Sequence, residues 1–258
     1  MPLNTAIAQL DQVEIAYYEN DAPSAAEVVL LIHGFASTAQ VNWLGTGWFK
    51  LLSEAGYRVI AFDNRGHGNS SKFYSPDDYG PDIFAADALG LLDQLQIESC
   101  HIIGYSMGAR IASWICHAAP GRVNQAVFGG MGDKIFGQGR DYEGIAQALE
   151  TDNPEEIEDR SALAFRRFAD ATGSDRRALA ACIRPAKRKI TPEIIKSIIT
   201  PTLVVVGSED DVGGSAVGLA SMMQNAESLV LDGLDHMKST GAAGFKQGAL
   251  DFFDRGSA

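Results

Sequence analysis

The chain has 258 residues, of which 46% are hydrophobic and 21% charged, with a formal net charge of −12; it is long enough for one large α/β domain with a sizeable core. The acidic balance argues against nucleic acid and anionic membrane as partners. The longest purely aliphatic stretch, Val28–Ile32, is far too short to cross a bilayer. Met1–Leu10 has no basic segment ahead of an apolar one, so no secretory leader is expected. The cysteines Cys100, Cys116 and Cys182 lack C-x-x-C spacing and read as reduced, buried thiols of a cytoplasmic protein.

In chain order, Gln12–Glu19 alternates apolar and polar residues and predicts an edge strand. Val28–His33 is a continuous apolar run, as a strand covered on both faces requires. A loop with Gly34, Gly45 and Gly47 leads to an amphipathic helix near Trp48–Ala55, and Tyr57–Phe62 is the next buried strand. Phe84, Ala88, Leu91, Leu92 and Leu95 share one face of a helix over Asp82–Gln96. Cys100–Ile103 is a short buried strand. A second helix follows over Met107–Ala119, stopped by Pro120-Gly121. Val123–Phe128, Thr202–Val206 and Ser228–Leu231 are further strands, and a last helix over Ala242–Asp254 carries Phe245, Phe252 and Phe253. Alternation of this kind implies a mostly parallel, doubly wound sheet with helices on both faces.

One segment interrupts it. Asp133–Ser197 shows no strand-like run and reads as charged helices over Gly144–Glu150, Pro154–Ala171 and Asp175–Arg188, punctuated by Pro154, Pro185 and Pro192. A helical insertion between two buried strands lies outside the sheet layers, so residues 133–197 are expected to cap the carboxyl ends of the strands, where open α/β sheets place their ligand sites. The core is then 1–132 with 198–258.

The chemistry concentrates at Gly104-Tyr105-Ser106-Met107-Gly108, between a strand and a helix. A sharp turn there lifts a serine hydroxyl out of the sheet, with glycines on both sides because side chains would collide. Other pieces recur at strand ends: His33-Gly34-Phe35, Phe62-Asp63-Asn64-Arg65-Gly66-His67-Gly68, Gly207-Ser208-Glu209-Asp210 and Asp235-His236-Met237. With these pieces the chain resembles the α/β-hydrolase fold superfamily, in particular its capped serine esterases and lipase-like members, over nearly its full length outside the insertion. The resemblance implies the α/β-hydrolase sheet with its cap inserted after the sixth strand.

A serine hydroxyl needs an adjacent base, usually histidine, whose tautomer a carboxylate holds. The fold supplies them in the order Ser, acid, His. His236 is the one histidine in a late loop beyond Ser106; His117 falls inside the helix after the turn, and His33, His67 and His101 precede it. Asp210 matches the family pattern Gly-x-x-Asp-x-Val; Asp211 and Asp133 remain alternatives, and Asp235 reads as a turn residue. The fold also implies an oxyanion hole made by the backbone N–H groups of Phe35 and Met107, with His33 structural and Asp63 and Arg65 bracing the mouth of the site. Ala109 stands where many relatives carry another glycine. Serine at the elbow disfavours the dehalogenase and epoxide hydrolase routes, which attack through a carboxylate. No phosphate-binding glycine loop and no metal-ligand spacing appear, so no cofactor or metal is expected.

The expected activity is cleavage of a small-molecule carboxylic ester of small to medium acyl chain through an acyl-enzyme. Apolar lining is expected from Phe35, Trp43, Phe136, Phe165 and Phe168, with Trp48 nearby. Arg166 and Arg167, between the last two, are expected to face solvent. The basic cluster Arg184, Lys187, Arg188 and Lys189 reads as a solvated face. Lactone opening, perhydrolysis and C–C bond hydrolysis use the same machinery and stay open, as do oligomeric state and a non-catalytic receptor of this fold.

Overall fold

A computed structural model describes residues 3–136, 141–184 and 189–256. The described residues form the strands β1 (Leu3–Leu10), β2 (Val13–Asn20), β3 (Val28–Ile32), β4 (Arg58–Phe62), β5 (Cys100–Tyr105), β6 (Val123–Gly129), β7 (Thr202–Gly207) and β8 (Ala226–Leu231). They make one sheet in the order β1-β2-β4-β3-β5-β6-β7-β8. β2 runs antiparallel to β1 and β4, and all other pairs are parallel. The helices are α1 (Trp48–Glu54), α2 (Pro81–Gln94), α3 (Met107–Ala118), α4 (Tyr142–Glu150), α5 (Arg160–Ala171), α6 (Arg176–Ile183), α7 (Pro192–Ser197), α8 (Ala216–Ala220), α9 (His236–Ser239) and α10 (Ala243–Gly256).

The continuous apolar runs follow from burial on both faces. Along β3, Leu30 and Ile32 enter one core with α2 and α3, whereas Val29 and Leu31 enter the opposite core with α1 and α10. β5 does the same, with Ile102 on the first side and Ile103 and Tyr105 on the second. The strand expected at the edge, Gln12–Glu19, is not the edge. β1 pairs outside it through a tight turn in which Asp11 adopts φ 44. β1 escapes a reading by hydrophobic pattern because its apolar residues mostly face water: Leu3 is 42% and Ile7 59% exposed.

The segment after β6 is helical, as expected, with a cluster of its own made by Ile145, Ala146, Leu149, Ala162, Ala169, Leu179 and Ala180. Its two ends belong elsewhere. Asp133 accepts the N–H of Ser215 at 2.8 Å, just before α8. α7 returns to the first core through Ile195, and Ser197 bonds His117 at 2.6 Å. Pro185, Lys187 and Arg188 lie outside the described residues; Arg184 forks onto Glu143 and Glu150 at 2.9–3.1 Å, tying the end of α6 to α4.

Arg167 is exposed as expected, but Arg166 is not: it is 5% exposed. Its guanidinium donates to the carbonyls of Ala148 at 3.1 Å and Thr151 at 2.5 Å, and to Asp170 at 2.9 Å. The C-terminus of α4 leaves carbonyls without intrahelical partners, and a cation placed there satisfies them and the negative end of the helix dipole. Sequence spacing shows which residues share a face of α5, not that a second helix end abuts its other side. Arg166→Met is expected to lower unfolding free energy in urea by about 2 kcal/mol, because these buried acceptors lose a charged donor. Arg167→Met is expected to stay within about 0.5 kcal/mol.

Candidate active site

Ser106 sits between β5 and α3 with φ 53 and ψ −107, a backbone conformation that is costly for a residue with a side chain and persists only when its surroundings over-determine it. Those surroundings are backbone against backbone. A side chain on Gly108 would set its first carbon 1.9 Å from the carbonyl oxygen of Ile32, and one on Gly104 would meet Gly108 O at 2.3 Å. The start of α3 can therefore lie directly on the end of β3 only with glycine at both places. The N–H of Ser106 is held by Gly129 O at 2.8 Å. Met107 is the first residue of α3, whose leading N–H groups have no partner within the helix. Ala109 is fully buried in the core.

His236 opens α9, and its Nδ1 donates to Asp210 Oδ2 at 2.7 Å. Asp210, in the loop after β7, also accepts the N–H groups of Val212 at 2.9 Å and Gly213 at 2.7 Å on its other oxygen. Its carboxylate is wholly buried, whereas the His236 ring keeps some exposure. Of the three acids considered, Asp210 meets the histidine. Asp211 is exposed, and Asp133 is committed to Ser215. Asp235 accepts from Met237 and Lys238 and caps α9, a turn role as expected. The end of β6 adjoins both sides of the site: Gly129 holds Ser106, and a side chain on Gly130 would fall 2.9 Å from His236 Cε1.

The loop after β3 stands beside Ser106. A Cβ on Gly34 would lie 3.5 Å from the Cβ of Ser106, and Gly34 N–H is fixed by Asn42 Oδ1 at 3.0 Å. Ser37 N–H closes a turn on Gly34 O at 3.3 Å, with Ala36 at φ 58. The helical insertion packs on this turn. Ala36 is buried in the insertion's cluster, which Phe35, Phe165 and Phe168 border. The rings of Phe35 and Phe165 meet edge to face at 5.6 Å. Phe136 borders the first core. Trp43, expected as lining, is instead fully buried in the second core, edge-on to Trp48 at 6.0 Å, because the helical turn that carries it folds down beside α1.

Behind the turn lies a buried polar network. Asn64 N–H donates to His33 Nε2 at 2.9 Å, and His33 Nδ1 reaches Gly34 O at 2.7 Å, so the ring is neutral with its proton on Nδ1. His67 Nδ1 bonds Arg65 O at 3.0 Å. Burial pushes the His33 imidazolium down to about 4 and that of His67 to about 3, the latter helped by the neighbouring His33. Asp63 accepts Ala39 N–H at 2.8 Å and Asn69 N–H at 2.9 Å. Arg65 forks onto Asp87 at 2.5 and 2.6 Å. His33, Asp63 and Arg65 are thus braces, as expected.

Tyr105, Ala36 and Gly130 were not singled out by the sequence. Only Tyr105 carried a signal, an aromatic residue with a polar head at the buried end of a strand.

A family model described as alpha/beta hydrolase fold matches residues 27–138. The chain is 30% identical over 177 residues to 3-oxoadipate enol-lactonase 2 of Acinetobacter baylyi, covering 63% of this chain and 65% of that protein. It is 38% identical over 103 residues to epoxide hydrolase 3 of Siraitia grosvenorii, covering 39% of this chain and 31% of that protein. The matches thus span less than two thirds of either relative's length. The crystal structure of a bromoperoxidase from Bacillus anthracis superposes with a TM-score of 0.77 at 23% identity, covering 97% of this chain and all of the other. No helix among the described residues is long and apolar enough to cross a membrane.

Two of the buried histidines, His33 and His67, set an acid limit on stability. Their folded pKa values lie below the unfolded value near 6.5, so the unfolded chain binds more protons at acid pH. Their neutral burial costs nothing above about pH 6.5, and stability is lost as pH falls from there toward 4 and then 3. Urea midpoints measured between pH 7 and pH 4 are expected to fall, and His67→Phe to fall less steeply.

Proposed function

The chain belongs to the α/β-hydrolase fold superfamily, and on that premise we propose that it is a serine hydrolase cleaving a small-molecule carboxylic ester of small to medium acyl chain. The observation that carries this reading is the pairing of His236 with the buried Asp210 beside a serine held at φ 53. Asp210 holds the Nδ1–H tautomer, which leaves Nε2 free to accept a proton. Ser106 Oγ attacks the ester carbonyl carbon while its proton passes to His236 Nε2. The oxyanion that forms takes hydrogen bonds from the backbone N–H groups of Met107 and Phe35, each worth on the order of 3 kcal/mol to the transition state. The imidazolium, stabilised by Asp210, gives its proton to the leaving alkoxide as the C–O bond breaks. Water then repeats the sequence on the acyl-enzyme, releasing the acid and restoring Ser106.

The helical insertion serves as the cap. Phe165 and Phe168, which border the same cluster as Phe35, line the acyl side. Trp43 is no longer part of that lining. A lactone is an internal ester and takes the same steps; similarity to a protein named enol-lactonase favours it as the second reading. C–C bond hydrolysis and perhydrolysis would use the same three side chains. The epoxide hydrolase route, despite the relative of that name, needs a carboxylate where this chain has Ser106. A receptor without turnover has no use for the paired His236 and Asp210. Three unpaired cysteines fit a reducing, cytoplasmic setting.

A panel of p-nitrophenyl esters of graded chain length, with lactones alongside, tests the reading. Ser106→Ala is expected to abolish turnover with native circular dichroism. Activity above about a thousandth of wild type would remove Ser106 as nucleophile. Asp210→Asn is expected to cost about four decades, and Asp211→Asn or Asp133→Asn no more than about tenfold.

The cap makes a separate expectation. Phe165→Ala or Phe168→Ala should shift the preferred acyl length while leaving the pH profile unchanged, because neither ring touches the proton path. An unaltered chain-length profile in both would sink the cap reading and spare the triad.

A further inference from the structure

Tyr105 precedes Ser106 and points away from it, into the second core. It is 3% exposed, yet its ring lies 5.3 Å from that of His236, centroid to centroid. Its hydroxyl donates to the backbone carbonyl oxygen of His236, across 131 residues of sequence. The space for the pair is cut out of β6. A side chain on Gly129 would strike the Tyr105 ring at 2.8 Å, and one on Gly130 would strike Tyr105 Cζ at 2.8 Å as well as His236 Cε1. Phe245 of α10 backs the tyrosine ring at 6.2 Å. Burial drives the phenol pKa upward, so the hydroxyl stays a donor.

The serine-hydrolase reading needs His236 Nε2 aimed at Ser106, and Asp210 fixes only the far nitrogen of the ring. A ring held at one nitrogen can still swing with its backbone. The residue begins a four-residue helix, α9, and such a short element is not stiff by itself. We propose that Tyr105 is a positioning residue that registers the general base against the nucleophile: its hydroxyl pins the His236 backbone to the last residue of β5, which runs directly into Ser106. Base and nucleophile then share one rigid reference, and the imidazole is held at two points, Asp210 at Nδ1 and Tyr105 at the main chain. A loss of register on the order of 1 Å costs a catalytic constellation about a hundredfold.

The inference rests on the serine-hydrolase reading, so the test separates the two. Labelling of Ser106 by a fluorophosphonate reads activation of the serine with no need of the true substrate. Wild type, Tyr105→Phe and a variant with 4-aminophenylalanine at position 105, which keeps a donor, are compared. Expected for Tyr105→Phe are native circular dichroism and a ten- to hundredfold slower labelling rate. For any ester that is turned over, kcat should fall by the same factor with KM unchanged, and the downfield proton resonance of the His236–Asp210 hydrogen bond should broaden or shift. The 4-aminophenylalanine variant is expected to recover most of the rate. A wild type that does not label overturns the hydrolase reading and this inference with it. A labelling wild type with a folded Tyr105→Phe of equal rate and unchanged resonance overturns the role of Tyr105 alone. So does a 4-aminophenylalanine variant that folds and labels as slowly as Tyr105→Phe. Should Tyr105→Phe fail to fold, the 4-aminophenylalanine variant decides: a rate within about threefold of wild type supports the tether, and a slower one overturns it.

Discussion

The contact on which the site depends is the seating of α3 on β3, where a side chain at Gly108 would fall 1.9 Å from Ile32 O. Nothing larger than hydrogen fits there. The contact draws the start of α3 down onto the sheet, and the chain between β5 and α3 must turn within a single residue. Ser106 takes up that turn at φ 53. The cost of such a conformation, of order 1–3 kcal/mol, is offset by the buried strands on either side, which cannot shift without opening the core. Strain here has a consequence for chemistry: the hydroxyl stands at the end of the sheet, next to the first N–H groups of a helix.

The same rigidity spreads through the loops that follow the neighbouring strands. Buried polar side chains anchor these loops to backbone groups, within one loop or across to its neighbour. His33 takes the N–H of Asn64, Asp63 takes those of Ala39 and Asn69, and Asn42 takes that of Gly34. A buried N–H left unpaired costs about 1–3 kcal/mol, so these side chains leave the loops little freedom. The price is the acid sensitivity of His33 and His67. Asp210 differs in kind: one oxygen is spent on loop N–H groups and the other on His236, so a single carboxylate both shapes its loop and orients the ring.

The helical insertion and the turn after β3 form one packed unit. Ala36 lies inside the insertion's cluster, and Phe35 meets Phe165 across the boundary. Any motion of α5 is therefore felt at the residue whose N–H is proposed to meet the oxyanion. Under the proposed function, acyl selection and oxyanion geometry would be coupled in this arrangement, since the ring and the N–H belong to the same residue.

The sequence by itself determined the alternating strands and helices, the helical segment after β6 and the turn at Gly104–Gly108. These follow from local rules: apolar period, glycine where backbone meets backbone, and proline at helix boundaries. It also pointed to His236 and ranked Asp210 first, since both follow late strands in the expected order. It did not reach β1, whose Leu3 and Ile7 face water, nor Trp43, whose ring turns into the second core beside Trp48. It placed Arg166 in solvent because spacing along α5 carries no information about the end of α4. Only the tertiary structure decided which carboxylate meets His236, that Ala36 and Phe35 belong to the insertion's cluster, and that Tyr105 reaches His236. Each of these depends on the approach of segments far apart in the chain, which no local pattern records, and the partner of Tyr105 is a backbone carbonyl, a group that every residue carries and no sequence pattern marks.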